Sequence, residues 1–304
     1  MEKSEISNIA PNIKLLHLHP PIPGYDEFIG PYLLSSKEAA VIDTGPASAV
    51  PSFMQSLRTI GMNPDDIRYI IFTHIHIDHA GSAGTVAQLL RNAKVIAHAR
   101  AHEHLSKPKA LWEASLKVLG DYAVMSGPIE PVPENRIIDA VDGMKVNLDR
   151  ELTLEIYLTP GHASHHLCVF FRAAGLLFTG EAAGVCINGA VRLATPPPFK
   201  LDVTLSSIDK LIELGPTRLC YSHFGCYDNG LERLKLYREK VERWYEVVNA
   251  ASKQGKNLDD ILKLLRAEDR ELAYLDHLEK DIYARELSLI YNSIRGLTGG
   301  YLPE

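Results

Sequence analysis

Tyr69–Gly81 constrains the fold of this chain more than any other stretch. Its first four residues, Tyr69 to Phe72, form a short apolar run bounded by polar residues, which reads as a buried strand. Four side chains that can ligate a metal follow within six residues: His74, His76, Asp78 and His79. In extended backbone, side chains two apart share a face about 6.5–7 Å from each other. His74 and His76 can therefore converge on one ion, with imidazole nitrogens roughly 2.0–2.1 Å from Zn²⁺. Asp78 and His79 fall where the chain turns into a helix starting near Ala80, which directs them to an adjacent position.

Three later segments repeat the arrangement of a strand followed by a ligand. Leu154–Leu158 precedes Thr159-Pro-Gly-His162, Leu176–Thr179 precedes Gly180-Glu181, and Arg218–Tyr221 precedes Ser222-His223. In this order the four motifs resemble the metallo-β-lactamase superfamily, whose signature is His-x-His-x-Asp-His. The resemblance runs from about Ile13 to Gly225 and extends to its glyoxalase II, lactonase and phosphotriesterase branches. It departs at Glu181, where the superfamily usually has Asp.

The resemblance implies an α+β four-layer αββα sandwich, with a metallo-β-lactamase-like catalytic domain over residues 1–228. A helical lid is expected at about 99–133, and residues 229–304 form a helical C-terminal extension packed on the domain. It also implies two divalent ions, zinc first, with Fe, Mn, Co or Cd as alternatives. His74, His76 and His162 would hold one ion and Asp78, His79 and His223 the other, with Glu181 between them. Asp78 and His223 are the catalytic candidates, Asp78 steering a proton to the leaving group. Asp43, at a strand end before Gly45, resembles the carboxylate that orients a ligating His, with a turn or helix cap as the alternative. Tyr25 and Phe28, in a Pro/Gly-rich connection, are candidate substrate contacts, and Trp112, Tyr122 and Met125 candidate lid residues.

The implied reaction is hydrolysis of an ester-type bond: carboxylic ester, lactone, thioester or phosphotriester. Two alternatives are a mononuclear iron sulfur dioxygenase, if Glu181 does not bridge, and a metal-dependent nuclease. A flavodiiron reductase is disfavoured because a histidine stands at His76, and a scaffold without activity is disfavoured because every ligand-type position is kept. No Gly-x-Ser-x-Gly elbow calls for a serine hydrolase. The net charge of −6 argues against a nucleic-acid partner. With no run of 18 apolar residues and no apolar segment at the start, the expectation is a cytoplasmic protein, off the membrane, that acts on a small molecule and has the option of homodimerising.

Four cysteines lack metal or scaffold spacing; Cys168 and Cys220 read as core residues and Cys226 as a bystander. Ile13–Leu18 and Phe28–Ser35 read as strands, with His17 and His19 as partly exposed strand residues. His98, His102 and His104 form a second histidine cluster in which His98 and His102 are four apart; it reads as a solvated helix start. His165 and His166 read as support for the His162 loop, and Gly184–Phe199 as an irregular loop. Asp228-Asn229 is expected to cap a helix over Gly230–Gln254. Helices over Leu258–Arg266 and Leu272–Ser293 follow, their charges alternating as on a solvated face.

Overall fold

The computed structural model describes residues 6–299. Two sheets form its centre. The first runs in chain order as β1 (Ile6–Ala10), β2 (Ile13–Leu16), β3 (Tyr32–Ser35), β4 (Ala39–Ile42), β5 (Ile67–Ile71), β6 (Lys94–His98) and β7 (Ile137–Ala140). Its pairs are antiparallel from β1 to β4 and parallel from β4 to β7. The second contains β8 (Met144–Asn147), β9 (Thr153–Leu158), β10 (Leu167–Phe171), β11 (Leu176–Gly180), β14 (Arg218–Tyr221) and β15 (Gly225–Asp228) in the order β15-β14-β11-β10-β9-β8. Along the chain between β11 and β14, a separate two-stranded ribbon is formed by β12 (Val185–Ile187) and β13 (Ala190–Arg192).

The inner faces of the sheets share one core, with Ile42, Ile71 and Ile96 of the first beside Ile156, Val169 and Phe178 of the second. Central strands buried on both faces read as continuous apolar runs, as Ala39–Ile42 does. On the outer face of the first sheet lie α1 (Val50–Ile60) and α3 (Ala83–Leu89), which turn Phe53, Leu57 and Val86 inward. On the outer face of the second lie α7 (Leu201–Glu213), α8 (Gly230–Lys253), α9 (Leu258–Glu268) and α10 (Lys280–Leu297). The result is the expected αββα sandwich. Three short helices, α4 (His102–Ser106), α5 (Lys109–Leu119) and α6 (Asp121–Ser126), cross from β6 towards β7, and the one-turn α2 (Ile77–Ala80) follows β5.

Several local expectations need correction. The helix expected from Ala80 is two, broken at Ser82, whose backbone N–H bonds the Gly45 carbonyl at 3.0 Å instead of a helical acceptor. The segment read as an irregular loop contains the β12–β13 ribbon, which turns at Asn188 and Gly189, both at positive φ. Phe28 precedes its expected strand, which starts at Tyr32, and His17 and His19 lie beyond the end of β2. Asn229 enters α8 in left-handed backbone without a capping side-chain bond, and Asp228 is the last residue of β15. The helix expected over Leu272–Ser293 winds as a 3₁₀ segment over Arg270–His277, then extends at Leu278 before α10. Leu272, Leu275 and Leu278 recur every three residues, which is the 3₁₀ period rather than the α period. Arg285 and Glu286, expected on a solvated face, are buried.

Candidate metal centre

Strand ends deliver the site. His74 and His76 leave β5, Asp78 and His79 sit in α2, His162 follows β9, Glu181 follows β11, and His223 lies in the turn between β14 and β15. The structure brings all seven side chains together in two adjoining groups, His74, His76, His162 and Glu181 in one and Asp78, His79 and His223 in the other; the polar atoms of each lie within 4.8 Å of one another. His76 and Asp78 are half-buried, and the other five are buried.

Nitrogen positions show what the first group can hold. His74 Nε2 lies 3.0 Å and His162 Nε2 2.9 Å from His76 Nδ1. Burial drives the pKa values of His74 and His76 well below the ordinary imidazole value, so both are neutral and each carries a single N–H. His162 Nδ1 faces the Ala194 carbonyl at 2.9 Å, a contact that needs an N–H donor there and turns Nε2 towards the group. A divalent cation fits such converging nitrogens.

Second-group residues follow the same rule. His79 Nδ1 donates to Asp43 Oδ2 at 2.9 Å and His223 Nδ1 to the Phe28 carbonyl at 2.8 Å. Their Nε2 atoms are buried without a hydrogen-bond partner, and Asp78 Oδ2 lies 3.6 Å from each. A partner that fixes the far nitrogen while the near one stays free is how ligating histidines are prepared. Burial disfavours charge on His79, but Asp78 and Asp43 outweigh it and hold its pKa well above the ordinary value.

Glu181 stands between the groups. Its Oε2 is 2.9 Å from His162 Nε2, 3.5 Å from His74 Nε2 and 3.6 Å from His79 Nε2, while Oε1 is 3.8 Å from His223 Nε2. Burial alone would raise its pKa, but the facing imidazoles, His162 foremost, bring it well below the carboxylate range. Gly180 allows this placement: a Cβ there would lie 2.5 Å from His166 Nε2 and 2.9 Å from Thr73 Cβ. His166 faces Thr159 Oγ1 through Nδ1 at 2.9 Å and accepts the Glu181 N–H on Nε2 at 3.2 Å. It therefore holds the Glu181 backbone.

Asp43, with φ of 58°, accepts from four donors: the N–H and hydroxyl of Thr73, the Ser222 hydroxyl and His79 Nδ1. It orients His79 and ties the site's two halves together. Sequence reasoning missed Thr73 and Ser222, although each directly precedes a histidine of the site.

Other expected residues sit around the rim. The Phe28 ring is 4.1 Å from His223, and Tyr25 stacks on Tyr122 of α6 at 4.4 Å. Trp112 and Tyr122 pack on Ile77, Ala123 and Ile129, whereas Met125 points outward and is exposed. His98 ends β6 and His102 begins α4, so the two do not share a helix face; His102 bonds Asp139 at 2.7 Å. His98, His102 and His104 belong to none of the ion-holding groups among the described residues. Cys226 faces Cys220 across the β14–β15 pair. His19, Asp26 and Glu27 make a third, more exposed group on the loop after β2.

A profile described as the metallo-beta-lactamase superfamily matches residues 31–223. The chain belongs to this superfamily. A metallo-beta-lactamase fold-containing protein of Sulfurisphaera tokodaii is 32% identical over 216 residues, covering 69% of this chain and 78% of the relative. An N-acyl homoserine lactonase of Bacillus thuringiensis is 26% identical over 211 residues, covering 60% of this chain and 74% of the relative. Among solved structures, an archaeal metallo-beta-lactamase superfamily protein from Sulfolobus tokodaii superposes with a TM-score of 0.67 at 25% identity, covering 93% of this chain and 97% of that one. The two groups are therefore clusters able to hold metal in a superfamily that binds metal ions and consists mostly of metal-dependent, hydrolytic enzymes. Among the described residues no helix is long and apolar enough to cross a membrane.

Proposed function

We propose that the chain is a dinuclear metal-dependent hydrolase of an ester-type bond in a small molecule, with a lactone as the first substrate class to test. Glu181 carries the reading: its two oxygens lie within 3.8 Å of histidines from both groups, as a bridging carboxylate requires and a single-ion site does not. His74, His76 and His162 would hold one ion and Asp78, His79 and His223 the other. By donor type zinc fits, since imidazole and carboxylate suit a borderline cation. Bound there, the ions would supply Lewis acidity, acidifying a water towards neutrality and polarising a carbonyl or phosphoryl oxygen.

The chain's own residues would do the rest. Asp78 is the half-buried carboxylate of the set, and its Oδ2 can take a proton from the attacking water and pass it to the leaving oxygen. Its distance of 3.6 Å to His223 Nε2 supports a shared role for the two at one reacting centre. Tyr25 and Tyr122, backed by the buried Phe28, give the rim an aromatic wall suited to an apolar or uncharged substituent. The lactonase relative supports the lactone class.

The test is metal content per chain on protein purified without chelator, together with hydrolysis of an aryl ester, a lactone, a thioester and a phosphotriester. Two ions and metal-dependent hydrolysis, fastest on the lactone, are expected. One iron per chain with persulfide-dependent oxygen uptake and no hydrolysis would overturn the reading in favour of a dioxygenase.

A further inference from the structure

The loop over residues 17–31 carries Tyr25 and Phe28 past the metal centre, and the C-terminal helix α10 grips its middle. Gly24, with φ of +79°, sits so close to the first turn of α10 that a Cβ would lie 2.8 Å from the Asp281 carbonyl oxygen. One turn further along α10, Arg285 donates Nη1 to the Gly24 carbonyl. Its guanidinium carbon lies 4.4 Å over the Phe28 ring and 5.5 Å from the rings of Tyr25 and Phe224. Arg285 is itself anchored from behind. Its Nε bonds Glu286 Oε1 at 3.0 Å, and Glu286 Oε2 is held by Arg192 Nε at 2.8 Å and the Tyr274 hydroxyl at 2.9 Å.

Phe28 then acts twice on His223. Its ring lies 4.1 Å from the imidazole, and its carbonyl takes the Nδ1 proton at 2.8 Å, which leaves Nε2 free to face Asp78 and Glu181. The path from α10 to the site is therefore continuous: Arg285, Gly24 and the Phe28 ring, the Phe28 carbonyl, His223. The Gly30 N–H bonds the Ser222 carbonyl at 2.8 Å and fixes the far end of the same loop to the turn that carries His223.

We propose that Arg285 is a positioning residue for the metal centre, setting the orientation and tautomer of His223 through Phe28, so that the C-terminal helices complete the site. The effect on metal affinity rests on the dinuclear reading; the effect on His223 does not. A substitution that only loosened the packing of the extension would lower stability without touching His223. One that cut the path would change His223 first.

The experiment uses the full chain with three substitutions. Arg285→Met keeps the apolar stem against the rings but removes the donors. Arg285→Lys restores one donor and the charge. Ile290→Ala, at a buried position of the same helix, perturbs packing alone. The first readout is the nitrogen-attached proton of His223 Nδ1, followed by NMR on ring-labelled histidine in protein as purified and after chelation. The second is the dissociation constant of each zinc ion, titrated against a competing chelator. Arg285→Met is expected to lose the protected His223 Nδ1 proton and to weaken the second ion about 10- to 100-fold, leaving the first within about twofold. Arg285→Lys should recover part of both losses. Ile290→Ala should lower the melting temperature and change neither. Retention of the His223 proton in Arg285→Met would overturn the proposal, as would an equal loss in Ile290→Ala. A wild type that takes up no second ion would sink the dinuclear reading alone, because the His223 signal still decides the part played by Arg285.

Discussion

The chain has two histidine clusters that look alike in sequence and differ in what surrounds them. In the first, His79, His162 and His223 are buried, and each spends Nδ1 on an acceptor supplied by a distant part of the chain: Asp43, the Ala194 carbonyl and the Phe28 carbonyl. The second, His98, His102 and His104, is more exposed, and its bonds are short-range or to surface carboxylates. His98 Nδ1 accepts the Arg100 N–H two residues on, and His102 pairs with Asp139 at 2.7 Å. Histidine density alone does not make a metal site. A site needs nitrogens whose far sides are fixed and whose near sides converge where water has been removed.

The largest expected effect is at Glu181, the residue joining the two halves of the first cluster. Glu181→Ala should reduce hydrolysis to background and lose at least one ion per chain in metal analysis. Undiminished turnover would mean that the groups work separately. Next comes Asp43, whose counterpart in the second cluster, Asp139 on His102, lies exposed at the surface. Asp43→Ala strands the His79 Nδ1 proton, the Thr73 N–H and the Ser222 hydroxyl, and an unsatisfied buried donor costs about 1–3 kcal/mol. Denaturant unfolding should register that loss, and competition with a chelator should show the second ion weakened about 10- to 100-fold. Metal removal gives a similar or smaller change in stability. At free ion concentrations near 100 times the dissociation constant, each ion contributes about 2.7 kcal/mol. Chelation should therefore lower the melting temperature of the wild type and of His102→Ala equally. A shift specific to His102→Ala would place an ion in the second cluster.

What could be read from the sequence divides along the same line. Each of the four motifs is local, a strand followed at once by a histidine or carboxylate, so both the superfamily and its αββα fold were legible from residues adjacent in the chain. Partners that arrive from a distance were not. Nothing around Phe28 signals that its carbonyl will meet His223, 195 residues away. Burial of Arg285 and Glu286 was hidden because their charges continue a pattern that normally faces water; Arg192, from a different segment, neutralises Glu286 inside. Two further elements do carry a local signal. Asn188-Gly189 is the dipeptide that favours tight two-residue hairpins, and it marks the β12–β13 ribbon. The strict three-residue spacing of Leu272, Leu275 and Leu278 marks a 3₁₀ segment.

The second cluster supplies the smallest effects, and they sharpen the contrast most. His102→Ala and His104→Ala should each leave metal content unchanged and shift stability by no more than about 0.5 kcal/mol, the ordinary range for surface positions. His98 adds a signature in pH. Partial burial, and then the neighbouring Arg100, lowers its pKa below the unfolded value of 6.5. As pH falls through 6.5 the unfolded chain takes up a proton that the folded chain resists, so His98 makes stability decline with acidification and has no effect well above that pH. His98→Gln removes the differential proton uptake. In metal-free protein, its melting temperature should match the wild type at pH 8 and fall less steeply from pH 6.5 downwards. A parallel decline in both proteins would show that His98 titrates alike folded and unfolded, and that the acid sensitivity of the fold belongs to the buried cluster.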